Sequence, residues 1–299
     1  MPSEDTGSLP DLKSLSSFQS HPDKLAQYKG QVVVVKYGGN AMKKPELQLQ
    51  VAQALVHLRT LGLRPVVVHG GGPAIASLLK RVGEEPEFIG GHRKTTVEAM
   101  RYVEMALRGE VNGQLVQLLN RMGAPAVGLS GKDARFILAE KRYHHEDGVK
   151  SDLGQVGNVK QVNPDLLMHL LGAGYMPVVA PVGAGEGELG DFNINADMAA
   201  GHVAAALKAA AFVVLTDVDG LRKDKDDPDT LIPEIGQEEL PGLMHTVIQG
   251  GMIPKIEACQ IALEGGVQEV HLINGTQPQR LLETLLQTEK VGTTLKRTS

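Results

Sequence analysis

Two valine-rich runs in this chain each break into glycine. Val32–Val35 leads into Lys36-Tyr37-Gly38-Gly39, and Val66–Val68 leads into His69-Gly70-Gly71-Gly72-Pro73. A β-branched run closed by glycine predicts a strand buried on both faces, the central kind found in parallel sheets. Glycine beyond the strand lets the backbone approach a ligand with no Cβ in the way. Its N–H groups, helped by the positive end of the following helix, suit phosphate oxygens. Pro73 fits the first turn of that helix. Two such loops, one with a lysine at the strand end, point to a site that handles a phosphoryl group.

The remaining pattern alternates. Helices are predicted near Pro22–Tyr28, Glu46–Leu61, Pro73–Val82, Gly113–Met122, Pro164–Leu171, Ala196–Lys208, Pro254–Leu263 and Pro278–Gln287. A capping box at Thr95–Glu98 opens one more. Strands are predicted at Val32–Lys36, Pro65–His69, Ala126–Leu129, Met176–Ala180, Phe212–Thr216 and Glu269–Ile273, with a hairpin within Arg135–Lys160. This order predicts an α/β chain: a three-layer α/β/α open sandwich with a mostly parallel central sheet. Residues 1–20 are rich in Ser, Asp and Pro, which predicts disorder at their start. The glycine-rich Gly183–Gly190 is expected as a joint between two lobes. Its match to GxGxxG is discounted, because Glu186 and Glu188 would repel a pyrophosphate.

Composition removes several classes of function. Aromatics are 3%, tryptophan is absent and net charge is −5, which argues against a nucleic-acid partner. Cys259 is the only cysteine, so no intrachain disulfide can form and a cytoplasmic, reducing setting is expected. It is expected as a packed thiol. No apolar run reaches membrane-spanning length, and the acidic start Met1–Asp11 is unlike a signal peptide. The Walker pattern GxxxxGK[ST] is absent. His144 and His145 are adjacent, a poor spacing for shared metal ligation, and no metal site is predicted.

Four places carry candidate chemistry, each with a plainer alternative. Lys36 is a fixed cation over a phosphoryl group, or a snorkelling lysine. Asn193–Asp197 combines two amides and a carboxylate that could bind ligand and orient lysines, or simply caps a helix. In Gly250–Lys255 a lysine stands near a positive helix end, which a bound anion would explain. Arg93 could fork onto a carboxylate, or be solvated.

The segments Val35–Met42, Val68–Pro73, Gly91–Arg93, Leu153–Gly157, Phe192–Asp197, Leu215–Gly220 and Gly250–Lys255 stand in one order from about residue 31 onward. Together they resemble the amino acid kinase family. The resemblance implies that family's sandwich fold and ATP-dependent phosphorylation of the γ-carboxylate of N-acetyl-L-glutamate, in arginine biosynthesis. It implies a partly helical extension (1–30), a lobe for the acyl amino acid (31–182) and a lobe for ATP (183–299). Lys36 and Lys255 would hold the transferring group and Asp197 would orient both. Gly38, Gly39, Gly71 and Gly72 would receive phosphoryl and carboxylate oxygens, while Arg93 and Asn193 would hold the substrate. Thr216, Asp217 and Gly220 would serve the nucleotide, and Mg²⁺ would arrive on ATP, bound mainly by phosphates and water. The resemblance further implies a homo-oligomer, dimer or hexamer, with arginine as inhibitor at a site including His271, Glu283 and Gly292.

Two departures stand out. Lys94-Thr95-Thr96 after Arg93 is similar to a related branch that acts on carrier-linked aminoadipate, which keeps that substrate open. Asn274-Gly275-Thr276 replaces an expected Asp-Gly-Arg. A nucleotide-binding regulator without activity is a third reading, opposed by intact Lys36, Asp197 and Lys255.

Overall fold

The alternating strands and helices resolve into layers in a computed structural model that describes residues 20–297, apart from 86, 147, 188, 189, 225 and 245. The disorder expected at residues 1–20 therefore lies almost wholly outside the described residues. α1 (Pro22–Tyr28) leads into β1 (Val32–Tyr37), α2 (Pro45–Thr60), β2 (Arg64–His69) and α3 (Gly72–Arg81). A small hairpin, β3 (Phe88–Ile89) and β4 (His92–Arg93), precedes α4 (Val97–Glu104). A π-helical stretch, Met105–Asn112, joins α4 to α5 (Gly113–Arg121). Next come β5 (Ala126–Ser130), β6 (Ile137–Glu146), β7 (Val149–Val162), α6 (Asp165–Gly172), β8 (Met176–Ala180), β9 (Val182–Gly185), β10 (Asp191–Ile194) and α7 (Ala196–Ala206). β11 (Ala211–Thr216), β12 (Glu234–Gly236), α8 (Ile253–Glu264), β13 (Glu269–Asn274), α9 (Arg280–Leu286) and β14 (Thr293–Lys296) follow.

Among the described residues one eight-stranded sheet runs β12-β14-β13-β11-β1-β2-β8-β5, parallel except where β14 meets β13. β1 lies at its middle, and its valines face alternate sides. Val32 and Val34 pack with α7 and α8, while Val33 and Val35 pack with α1, α2 and α9. Helices on both faces explain why the run has no polar alternation. Full burial of each such side chain contributes about 1.5–3 kcal/mol.

A second, closed unit of β10, β7, β6 and β9 sits over one end of the sheet. Of Gly183–Gly190, expected as a lobe joint, the described residues lie with this unit: β9 ends at Gly185, whose N–H donates to the Gly190 carbonyl at 2.8 Å beside the antiparallel β9–β10 pair. A Cβ on Gly185 would meet the Gly190 carbonyl and the Phe192 ring, and one on Gly183 would meet Ile194 and Ala139, so these glycines answer a packing need. The expected capping box does not form, because the helix starts one residue later and places Ala99, not Glu98, at the third helical position. Thr96 is the N-cap of α4, accepting from Ala99 N–H at 3.0 Å. Thr95 is instead buried, joined to β7 by Thr95 N–H to Leu153 O at 2.9 Å. Cys259 is a buried thiol whose pKa burial pushes up.

Candidate active site

The sheet register sets the two glycine loops side by side. Tyr37 aligns with His69, and Gly70 N–H donates to Tyr37 O at 2.7 Å. From β1 the sheet continues to β2 on one side and β11 on the other, so a crevice opens beyond the carboxyl ends of these strands. Gly39 sits at φ 69°, and Asp217 from the end of β11 occupies the space a Cβ would need. Asp217 Oδ1 accepts from Asn40 N–H at 2.6 Å, which clamps the first loop. A side chain at Gly39 would be strained and would break that clamp.

Asp197, in the first turn of α7, bridges the two lysines. Lys36 Nζ lies 3.0 Å from Oδ1, and Lys255 Nζ donates to Oδ2 at 3.0 Å. The carboxylate and Lys36 are buried, while Lys255 is half-buried. Burial alone would raise the Asp197 pKa, but the two ammonium groups outweigh it and hold the carboxyl below its ordinary value. Burial pulls the Lys36 ammonium down, opposed by Asp197 and aided by Lys255. Ionised, the cluster carries one negative and two positive charges, a net cation facing the crevice. Asn195 caps α7, accepting from Asp197 N–H at 2.8 Å and Met198 N–H at 3.2 Å. The lysine near the start of α8, unfavourable by itself, thus has a fixed counter-charge.

These groups line a cavity of about 410 Å³ together with Gly38, Gly39, Gly71, Gly72, Arg93 and Asn193. Lys255 is not itself in that lining, but is paired with Asp197, which is. Arg93 stacks on Phe88 at 4.8 Å from the ring centroid. Its Nη1 is buried with no hydrogen-bond partner among the described residues. A buried, unpartnered guanidinium nitrogen is costly unless an anion meets it. Lys94, the departure from the family pattern, pairs with Glu87 at 2.9 Å and is outside the cavity lining.

The expected nucleotide residues divide. Gly220 lines a second cavity of about 430 Å³ with Leu221, Arg222, Lys223 and Met252. Thr216 is buried and shapes the turn, its Oγ1 accepting from Val218 N–H at 3.3 Å. Asp217 faces the glycine loop instead. The effector group divides too. His271 lines a pocket of about 90 Å³ with Lys24, Glu269, Thr284 and Lys296, whereas Glu283 faces Arg280 at 3.7 Å. Gly292 is outside that lining. His271 Nε2 and Thr284 Oγ1 are buried with no hydrogen-bond partner among the described residues. Tyr28 of α1 donates to Glu269 Oε2 at 3.1 Å, which ties the N-terminal helix to this pocket.

Sequence reasoning missed Phe88, Asn40 and Glu269. Phe88 had a signal, a lone aromatic just before Gly90-Gly91. The contacts of Asn40 and Glu269 join positions far apart in the chain, and nothing local foretells them.

Residues 31–274 match the profile of the Amino acid kinase family. The chain is 46% identical over 275 residues to acetylglutamate kinase of Moorella thermoacetica, covering 90% of this chain and 92% of the relative. It is 44% identical over 280 residues to acetylglutamate kinase of Methanocaldococcus jannaschii, covering 91% and 93%. Among solved structures, N-acetylglutamate synthase from Neisseria gonorrhoeae, complexed with coenzyme A and N-acetyl-glutamate, is similar with a TM-score of 0.77 and 25% identity. That likeness covers 93% of this chain and 62% of that one. Carbamate kinase from Giardia lamblia shares the fold, with a TM-score of 0.66 at 15% identity over 90% of this chain and 99% of that one.

Proposed function

This chain belongs to the amino acid kinase family, and we propose that it transfers the γ-phosphoryl group of ATP to the side-chain carboxylate of N-acetyl-L-glutamate. The observation that carries this reading is the Lys36–Asp197–Lys255 bridge beside a cavity that is lined by Lys36, Asp197 and Arg93, whose buried Nη1 has no partner among the described residues. Arg93 and Asn193 would take the α-carboxylate and the acyl amide. The γ-carboxylate would then lie among Gly38, Gly39, Gly71 and Gly72, beside the lysines.

A carboxylate is a nucleophile at neutral pH, so no strong base is required. Its oxygen forms a bond to the γ-phosphorus as the bond from that phosphorus to the β,γ-bridging oxygen breaks. An acyl phosphate and ADP result. Catalysis is then positioning and charge neutralisation. Lys36 and Lys255 neutralise the transferring group, and Asp197 keeps their spacing. The positive end of α3 adds backbone donors.

The nucleotide would occupy the second cavity, in the part of the chain from 183 onward, with the acyl amino acid held mainly by 31–182 and reached by Asn193 from the other part. The divalent ion that accompanies ATP is read as Mg²⁺, carried by phosphate oxygens and water. Asp197 fits that assignment, since both its oxygens are engaged by lysines. No helix among the described residues is long and apolar enough to cross a membrane. We assign the enzyme to arginine biosynthesis in the cytoplasm, as a homo-oligomer. Arginine is the proposed effector of the pocket beneath α1, with Glu269 rather than Glu283 as the guanidinium partner.

A hydroxamate assay with ATP and Mg²⁺ tests the substrate. N-acetyl-L-glutamate should give acyl hydroxamate at least about tenfold faster than N-acetyl-aminoadipate, because one methylene in a fitted pocket is worth ~1–3 kcal/mol. The reverse order would move the enzyme to the aminoadipate branch. No product from either would leave the regulator reading.

A further inference from the structure

A buried histidine and a buried asparagine stand behind the second glycine loop, and the chemistry above does not use them. Asn112 lies at the end of the π-helical stretch and is 3% exposed, while His69 ends β2 and is fully buried. Asn112 Nδ2 lies 2.9 Å from His69 Nε2 and 2.9 Å from the Val178 carbonyl. Its Oδ1 lies against the bare Cα of Gly128. A carbonyl only accepts, so the amide atom facing Val178 is the donor nitrogen. The same nitrogen faces Nε2, which must therefore accept. The imidazole proton is then on Nδ1. Nδ1 lies 2.7 Å from the Gly70 carbonyl, another acceptor. The two ends of the ring agree on one tautomer.

Gly70 is thereby held at both of its polar groups. Its N–H goes to Tyr37 O at 2.7 Å, and its carbonyl is held by His69. In a planar trans peptide the next N–H points opposite to the carbonyl. Fixing Gly70 O toward the core aims Gly71 N–H away from it, on the side where Gly70, Gly71 and Gly72 line the cavity.

We propose that Asn112 and His69 form a positioning pair that fixes the imidazole tautomer and thereby the Gly70–Gly71 peptide, so that the loop presents a preset donor to the anionic oxygens of the reaction. This rests on the reading that the loop receives those oxygens. Neither side chain touches substrate. Both act through the peptide, by pre-organisation. Burial, which lowers the His69 pKa to about 4, keeps the accepting nitrogen unprotonated at working pH.

The test uses two substitutions that split the imidazole. His69→Asn keeps an amide donor near the Nδ1 position, and His69→Gln keeps a polar atom near Nε2 but loses the Gly70 donor. His69→Asn removes one methylene more than His69→Gln, so a purely structural role would make it the worse variant. His69→Gln is expected to lower kcat ~10²-fold, the size of effect a misplaced group can produce. KM for ATP should stay within about threefold. His69→Asn should recover most of the lost kcat at a similar melting temperature. Equal kcat losses in the two variants would overturn the pair. If both fail to fold, ¹⁵N spectra of the wild-type imidazoles decide. Nδ1-protonated His69 from about pH 5.5 to 8 supports the pair, and the Nε2-protonated form overturns it. Gly72→Ala tests the underlying reading separately, since its methyl meets no protein atom within 4 Å. Full activity there would sink the loop assignment. A strongly impaired Gly72→Ala with equal His69 variants would sink the positioning pair alone.

Discussion

Gly201 of α7 lies directly against the carbonyl of Ala258 in α8, so close that a Cβ on the glycine would overlap it. Gly201 is one turn beyond Asp197, and Ala258 is one turn beyond Lys255. The close approach of these two helices therefore sets the 3.0 Å contact between the carboxylate and the lysine. Gly201→Ala should force the helices apart. Overpacking of this kind costs ~1–3 kcal/mol. The melting temperature should fall together with kcat, although the residue is remote from substrate. An unchanged kcat in a folded Gly201→Ala enzyme would contradict the link.

Lys36→Ala and Lys255→Ala should each lower kcat far more than they raise either KM. Loss of one electrostatic group at a reacting centre costs ~3–4 kcal/mol, roughly 10²–10³ in rate. Steady-state kinetics with both substrates would show it. A Lys255→Ala enzyme within about threefold of the parent kcat would remove the lysine from the mechanism.

Arg93→Lys should raise KM for the acyl amino acid and leave KM for ATP alone. A lysine cannot supply a bidentate fork, nor keep the planar stack on Phe88. Phe88→Ala should weaken the same KM in the same direction, by less. An effect confined to ATP would place Arg93 on the wrong substrate.

Stability should fall on mild acidification. Burial lowers both His69 and His271 from 6.5 to about 4. Below pH 6.5 the unfolded chain takes up these protons and the folded chain does not. The contribution is therefore complete above 6.5 and is lost as pH falls toward 4. Each histidine accounts for roughly 3 kcal/mol across that window, because a tenfold change in proton affinity is worth about 1.4 kcal/mol. Thermal melts between pH 6.5 and 5, above most carboxylate titration, should show the slope. His271→Asn should reduce it, and a flat profile in the parent would argue against buried neutral histidines.

Millimolar arginine should inhibit the full chain, and Glu269→Gln should weaken that inhibition at least about tenfold with little change in kcat. A guanidinium would meet the Glu269 carboxylate in the pocket that also holds the unpartnered His271 and Thr284 atoms. Removing residues 1–29 deletes the whole of α1 with its Tyr28 contact, and should abolish the response. Inhibition that persists in Glu269→Gln at the parent concentration would return the role to another carboxylate.

The sequence made the repeating strand and helix pattern legible because burial on both sheet faces writes itself as valine runs. Lys36, Asp197 and Lys255 were legible because each stands at an element end beside glycine or a cap. Gly183 and Gly185 are packed against Ile194, Ala139, the Gly190 carbonyl and Phe192, and glycine content alone does not distinguish such close packing from a joint between lobes. Asp217 is expected at the nucleotide, and its contact with Asn40, 177 residues away, is one that no local pattern encodes. Glu283 looked like the effector carboxylate by its place in the chain. It faces Arg280 across one turn of α9 and is not in the pocket lining, whereas Glu269 of β13 is, which is why the proposed site uses Glu269.

β10 runs into α7 with only Asn195 between them, so Asn193, facing the cavity, stands four residues from Asp197. The arm that feels the acyl group and the clamp that spaces the lysines are thus one stiff piece of chain. A substrate that fits poorly against Asn193 would tilt the clamp as well. Discrimination should therefore show up as slow turnover of wrong substrates that still bind, so that a near-cognate compound acts as an inhibitor of this enzyme before it acts as a substrate.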